Sequence, residues 1–161
     1  MQNNLLIKKI FVFLLIILAP FHVLKAQQNF DKNTAEDVQF IVNAFNAGET
    51  SKVINADKSI GLGYESHVSI QGLDKIVCLT GKGFNLAEGS IEIKKDSDLE
   101  SAYKALVNVL KENFKDYKVK KDKDEYWQTT EFISKDKSLP ANMIVNINYL
   151  RNDITLTIRG K

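Results

Sequence analysis

Ser97-Asp98-Leu99-Glu100-Ser101-Ala102-Tyr103-Lys104-Ala105-Leu106-Val107-Asn108-Val109-Leu110-Lys111-Glu112-Asn113-Phe114 is the stretch on which the fold turns. Leu99, Tyr103, Leu106, Leu110 and Phe114 recur at helical spacing, with Ala102, Val107 and Val109 beside them. Such a stripe belongs to a helix that buries one face. Ser97 three residues ahead of Glu100 has the form of a capping box, and Asp96 and Asp98 at the start with Lys111 and Lys115 near the end suit the helix dipole. The spacing predicts a helix from about Leu99 to Phe114.

Downstream the period changes from helical to alternating. Met143, Val145, Ile147 and Tyr149 alternate with Ile144, Asn146, Asn148 and Leu150, and after Asn152-Asp153 the residues Ile154, Leu156 and Ile158 alternate with Thr155, Thr157 and Arg159. Two such runs around a turn predict a C-terminal hairpin. Further strands are expected over 52–55, 59–64, 67–71, 75–80, 89–94, 117–121 and 126–134, with short connections that favour antiparallel pairing. Upstream, Asn33-Thr34-Ala35-Glu36 offers a helix cap, Val38, Ile41, Val42 and Phe45 follow at helical spacing, and Gly48 offers a stop. A second helix is therefore expected from about Thr34 to Ala47.

These elements predict an α+β fold, with two helices packed on one face of an antiparallel sheet of six to eight strands. Val38, Ile41, Phe45, Leu99, Tyr103, Leu106, Leu110 and Phe114 would form the core against Val145, Ile147 and Leu156. The order is helix and strands, then helix and strands. Val53 and Val119, Asp57-Lys58 and Lys123-Asp124, and Ile60 and Tyr126 stand at one constant offset. An internal repeat is one reading of that offset, and chance alignment of two alternating segments is the other.

From Ser90 onward the order strand, amphipathic helix, four strands resembles the β-α-β-β-β-β arrangement of TBP-like domains in small exported bacterial proteins of unknown function. Ile91-Glu92-Ile93, the helix opened by Ser97-Asp98-Leu99-Glu100, and Ile154-Thr155-Leu156-Thr157-Ile158 carry the resemblance, which covers residues 90–161. It implies a helix lying on a curved antiparallel sheet and transfers no catalytic residue.

Residues 1–26 read as a secretory signal peptide: Lys8 and Lys9, an apolar run from Ile10 to Leu18, Pro20, and a cleavage point near Ala26. The run is shorter than the roughly 20 residues a membrane-spanning helix needs. No cysteine follows the cut to accept a lipid, so the expectation is one domain over 27–161, periplasmic or secreted. Of 22 basic residues in the chain the leader holds Lys8, Lys9 and Lys25, leaving 19 against 20 acidic ones. That balance speaks against a nucleic-acid footprint. Cys78 is the only cysteine, which excludes an intramolecular disulfide.

Candidate chemistry is sparse. His67 and Cys78 would become diagonal neighbours if Gly72-Leu73-Asp74-Lys75 were a hairpin turn, but the roughly 7–8 Å between diagonal side chains is long for a thiol–imidazole bond. They are held as reserve candidates, with Cys78 expected as a small core side chain. Gly61-Leu62-Gly63 and Gly81-Lys82-Gly83 lack phosphate-loop spacing and read as turns. Asp96, Asp98 and Glu100 lack the glycine and distal glutamate of a calcium loop, and the one histidine and one cysteine within 27–161 are too few for a transition-metal site, so no metal or cofactor is expected.

Trp127, with Phe132 and Tyr149, is a candidate aromatic patch for a glycan or protein partner. Asn142, Asn146 and Asn148 beside Thr155 and Thr157 make one face of the C-terminal hairpin polar. The binding residues read from the sequence are Trp127, Tyr149, Asn146 and Asn148. The functional expectation is a non-catalytic binding or interaction module of the cell envelope. The alternatives are a small hydrolase or isomerase using Glu65, His67 or Glu131 as base, and a secreted inhibitor or immunity-type protein.

Overall fold

The computed structural model describes residues 30–93, 96–139 and 141–160, with the side chains of 96 and 97 outside the description. The signal-peptide segment 1–26 lies outside the described residues. Helix α1 spans Lys32–Asn46 and α2 spans Asp96–Asn113. The strands are β1 Ile54–Ile60, β2 Gly63–Ser66, β3 Val77–Gly81, β4 Phe84–Glu92, β5 Tyr117–Lys123, β6 Trp127–Ser134, β7 Asn142–Asn148 and β8 Asp153–Gly160. They form one antiparallel sheet in the order β1-β2-β3-β4-β8-β7-β6-β5.

That order repeats itself. Each half is a helix followed by a four-strand meander, and the last strand of each half, β4 and β8, pair antiparallel at the centre of the sheet. Val38, Ile41, Val42 and Phe45 of α1 match Tyr103, Leu106, Val107 and Leu110 of α2 at one constant offset, and all eight are buried. The strand landmarks read from the sequence do not fall on equivalent places. Asp57-Lys58 lies in the irregular middle of β1, between the Asn55 and Ser59 pairs, whereas Lys123-Asp124 is the end of β5 and the turn after it. The repetition therefore lives in topology and in the helix stripes.

Both helices lie on one face, as the registers show. The Tyr103 hydroxyl of α2 shares a 2.6 Å hydrogen bond with Thr130, which sits in the row Thr130–Val145–Leu156. Gly160 is on the same face as Leu156, and a side chain there would collide with Phe45 of α1. Glycine is what lets α1 settle onto β8. The row Tyr64–Cys78–Ala87–Ile158–Met143–Phe132 also lines this face. Every core residue expected from the sequence is buried.

Several local expectations are corrected. The cap of α1 is Asp31, whose carboxylate accepts from the backbone amides of Asn33 and Thr34 at 2.8 and 3.4 Å. Thr34 returns the bond by accepting from the Asp31 amide at 3.1 Å, so the box closes two residues before the Asn33 cap expected. Glu36 is left to pair with Lys32 at 3.0 Å. Helix α2 begins at Asp96, which puts Ser97 inside its first turn, and the Ser97 side chain lies outside the description.

The expected strand 67–71 is irregular backbone: the His67 and Val68 amides bond to Val53 and Ser66, and Gln71 bonds to the start of α1. The Gln71 amide donates to Asp37 at 3.1 Å, its carbonyl accepts from the Thr34 hydroxyl at 3.0 Å, and its side chain bridges Asn33 and Asp31, each at 3.1 Å. The expected strand 59–64 is interrupted by the Gly61-Leu62 turn, and Lys52 belongs to a short 3-10 turn, Thr50–Lys52, ahead of β1.

The two sheet edges are blunted differently. β5 carries Lys118, Lys120, Lys121 and Lys123, and β1 carries its bulge. Both devices discourage edge-to-edge pairing with another chain.

Candidate binding surface

The face turned away from the helices is set by the same registers. Its central rows are Leu79–Leu86–Arg159–Asn142, then Glu65–Val77–Glu88–Thr157–Ile144–Glu131–Lys120, then Ser90–Thr155–Asn146–Thr129–Asp122, then Glu92–Asp153–Asn148–Trp127. Neighbouring strands bond across it: the Thr129 hydroxyl donates to Asn146 at 2.8 Å and the Thr157 hydroxyl to Glu88 at 2.9 Å. Hydroxyls and amides dominate the Ser90–Thr155–Asn146–Thr129 row, while in the rows beside it carboxylates are interspersed with apolar and other polar side chains. Burial pushes the Asp153 carboxyl above its ordinary value, and Glu92 and Glu88 push it further, against the opposing pull of Arg151. Glu92 and Asp153 thus place two carboxylates side by side at this end of the face, with Arg151 close by.

Of the four binding residues read from the sequence, this face holds Trp127, Asn146 and Asn148, while Tyr149 sits elsewhere. Trp127 is 44 % exposed at the start of β6. Its backbone amide and that of Tyr126 both donate to Asp124, at 2.7 and 2.8 Å, which closes the β5–β6 turn. Asn148 is buried, and its side-chain oxygen accepts from the amides of Leu150 and Arg151 at 3.0 and 3.2 Å. It shapes the β7–β8 turn and keeps little surface for a ligand.

Tyr149 serves the helix side. Its hydroxyl reaches Glu100 of α2 at 2.8 Å and Gln128 at 3.2 Å, and the Lys123 ammonium stands 5.5 Å over its ring. The Tyr149 hydrogen bond, with Lys104 close behind, holds the Glu100 carboxyl below its ordinary value. Phe132 is fully buried on the helix side of the sheet, in the row with Met143, so the three-aromatic patch does not form. Positions 127 and 132 are an odd number of residues apart in one strand and must point to opposite faces.

His67 and Cys78 do not share a hairpin. Cys78 pairs with Tyr64 on one side and Ala87 on the other and is buried. Burial pushes its thiol up, partly offset by a hydrogen bond with Ser66. His67 is exposed beyond the end of β2, with its backbone amide donating to Val53 at 2.8 Å. It lines a shallow depression of about 410 Å³ with Glu65 and Lys75. Glu65 there faces Lys75 at 3.5 Å and Lys58 at 3.8 Å. Glu131 stands on the open sheet face between Ile144 and Lys120.

The glycine pairs are hairpin loops: Gly61-Leu62 joins β1 to β2 and Lys82-Gly83 joins β3 to β4, with Gly61 and Gly83 at φ 56° and 83°. Among the described residues no three His, Cys, Asp or Glu side chains converge as metal ligands, and no helix is long and apolar enough to cross a membrane. Compared with protein-family models, curated proteins and solved structures, the chain finds no significant match.

Proposed function

We propose that this chain is an exported, non-catalytic binding module of the cell envelope whose protein or glycan partner docks on the sheet face opposite the helices. One observation carries the reading: both helices cover the same face, so the hydroxyl, amide and carboxylate rows of β4, β8, β7 and β6 form a broad polar platform with an exposed tryptophan at its end. Sheets covered on one side only commonly present the other to water or to a partner. A partner with basic or hydroxyl-rich surface complements the Glu88, Glu92 and Asp153 end. The apolar run 10–18 and the small residue at 26 support export through a cleaved leader.

Trp127 is the chain's single tryptophan and stands on the proposed surface, so its fluorescence reports docking. Partners captured from envelope fractions are expected to blue-shift that emission and shield it from acrylamide. Thr155→Lys and Asn146→Lys, both on the platform, are expected to abolish capture while leaving the fold intact. Capture that survives both substitutions, with Trp127 still quenched freely, would place the docking surface elsewhere.

A further inference from the structure

On the helix side, away from the sheet platform, α1 and the corner between α2 and β5 enclose a cleft of about 520 Å³, closed on its third side by the β6–β7 connection. We propose that this cleft binds a neutral carbohydrate, a mono- or disaccharide or the end of a glycan. The volume falls within the range of small-molecule sites.

Its chemistry comes from an unusual use of helix spacing. Gln39, Val42, Asn43 and Asn46 follow one another at i, i+3, i+4 and i+7 on α1, and three of the four are amides. Asn113, at the end of α2, supplies a fourth amide to the same cleft.

Intramolecular bonds orient these amides without exhausting them. Gln39 Nε2 donates to Asn43 Oδ1 at 2.8 Å, Asn113 Nδ2 donates to the Val109 carbonyl at 2.8 Å, and Asn46 Oδ1 accepts from the Ala141 amide at 2.9 Å. An amide has two donors and an acceptor oxygen, so Gln39 Oε1, Asn43 Nδ2 and Asn113 Oδ1 remain for a ligand. Donors and acceptors side by side suit hydroxyls, which act as both. Tyr117, half-buried and held edge-to-face against the buried Phe114 with ring centroids 5.5 Å apart, is the aromatic surface the cleft offers, and such a ring suits the C–H face of a sugar.

Charge selects against ions. Lys115 and Lys135 are balanced by Asp116 and Asp136. The Lys135 ammonium donates to the Lys115 carbonyl at 2.8 Å, and the Asp136 carboxylate accepts from the Ser138 amide and hydroxyl at 2.8 and 2.7 Å. Lys135 and Asp136 are thereby engaged within the protein, and two lysines set against two aspartates leave the cleft lining without surplus charge of either sign.

Side-chain amide resonances of the purified isotope-labelled chain can be followed while glucose, galactose, mannose, N-acetylglucosamine and their 1,4-linked disaccharides are titrated in. Inorganic phosphate and a trilysine peptide serve as comparison probes. At least one sugar is expected to shift Gln39, Asn43 and Asn113 saturably, with a dissociation constant on the order of 1 mM or tighter. Asn43 and Asn113 are exposed, so Asn43→Ala with Asn113→Ala is expected to weaken that sugar about tenfold or more with an unchanged backbone spectrum, whereas Asn146→Ala on the sheet platform leaves it unaffected. Three outcomes would overturn the proposal: no saturable shift with any sugar, shifts that map outside the cleft, or saturation there by phosphate or trilysine in preference to every sugar. The first and third leave the sheet platform untouched, since it is tested by capture and by Trp127, whereas shifts mapped to Asn146 or Trp127 would move the sugar from the cleft to that platform.

Discussion

The two halves of the molecule share a topology and differ in what holds them. In the C-terminal half, β7 and β8 bury an apolar side chain at every second position: Met143, Val145 and Ile147, then Ile154, Leu156 and Ile158. In the N-terminal half β2 has four residues and β3 has five, and the core positions along β3 and β4 are the small Cys78, Ala87 and Gly89. There the sheet contributes less apolar mass, so burial comes chiefly from α1 and from Val53, Ile54, Ile70 and Ile76 outside the central strands, and the segment after β2 is additionally tied through Gln71 to the start of α1. The comparison teaches that one architecture can take its sheet-side burial mainly from long strands in one half and from helix, turn and loop residues with added hydrogen bonds in the other. Burial is worth about 25 cal/mol per Å² of apolar surface, while a typical hydrogen bond adds a net 0.5–1.5 kcal/mol.

The largest test removes apolar mass from the C-terminal half. Leu106 and Leu110 are fully buried between α2 and the sheet, and Leu106→Ala or Leu110→Ala is expected to cost about 2–5 kcal/mol in urea unfolding through lost burial and a residual cavity. Losses under about 1 kcal/mol at both positions would show that α2 is peripheral, and the contrast between the halves would fail.

A smaller effect is expected at Gln71. Gln71→Ala removes both side-chain bonds, to Asn33 and Asp31, and keeps the backbone ones. A cost of about 1 kcal/mol is expected, since each net bond is modest and this side chain is exposed. Amide exchange sharpens the point: the β2–β3 segment should open locally before β7 and β8, and Gln71→Ala should speed exchange around 67–76 without touching 143–158. Equal protection in both halves would erase the distinction.

Cys78 probes the N-terminal core directly. Its burial and raised thiol pKa predict that a thiol reagent reacts at the rate of unfolding and not of the native state. Ser66 lies within hydrogen-bonding reach, so Cys78→Ser should be tolerated about as well as Cys78→Ala, because the new hydroxyl has a partner. Rapid labelling of the folded chain would show that β3 is far more open than its burial implies.

The smallest effect concerns the polar anchor of the C-terminal half. Glu100 has a folded pKa below its unfolded value, chiefly because Tyr149 donates to it. The stability it contributes is therefore present above the unfolded glutamate pKa of about 4.3 and is lost as pH falls through the lower folded value. Tyr149→Phe should narrow that acid-side dependence, with the difference between the proteins visible near neutral pH and fading below about pH 4. A difference that instead grew on acidification would mean another group governs this site.

Local patterns carried the reading of the helices and of the C-terminal hairpin. The stripe Leu99, Tyr103, Leu106, Leu110 and the alternation from Met143 to Ile158 depend on neighbours in sequence, and burial follows them residue by residue. The aromatic patch misread parity, since Trp127 and Phe132 cannot share a strand face. The His67–Cys78 hairpin failed for a different cause: nothing near residue 72 announces that Gln71 will bond to residues some forty positions earlier. The amides of the cleft were equally silent, because Gln39, Asn43 and Asn46 read as the polar side of a helix.

The sequence by itself determined the two helices and the C-terminal hairpin, the side chains that share a stripe or a strand face within them, and the α+β class they imply. Those properties follow from backbone geometry with periods of 3.6 and 2 and need no knowledge of distant partners. Only the tertiary structure decided the strand order with β4 beside β8, which sheet face the helices cover, and that Trp127 stands in the open while Tyr149 anchors α2. These depend on long-range pairing, in which the total burial and the full set of hydrogen bonds choose among arrangements that local patterns leave equal.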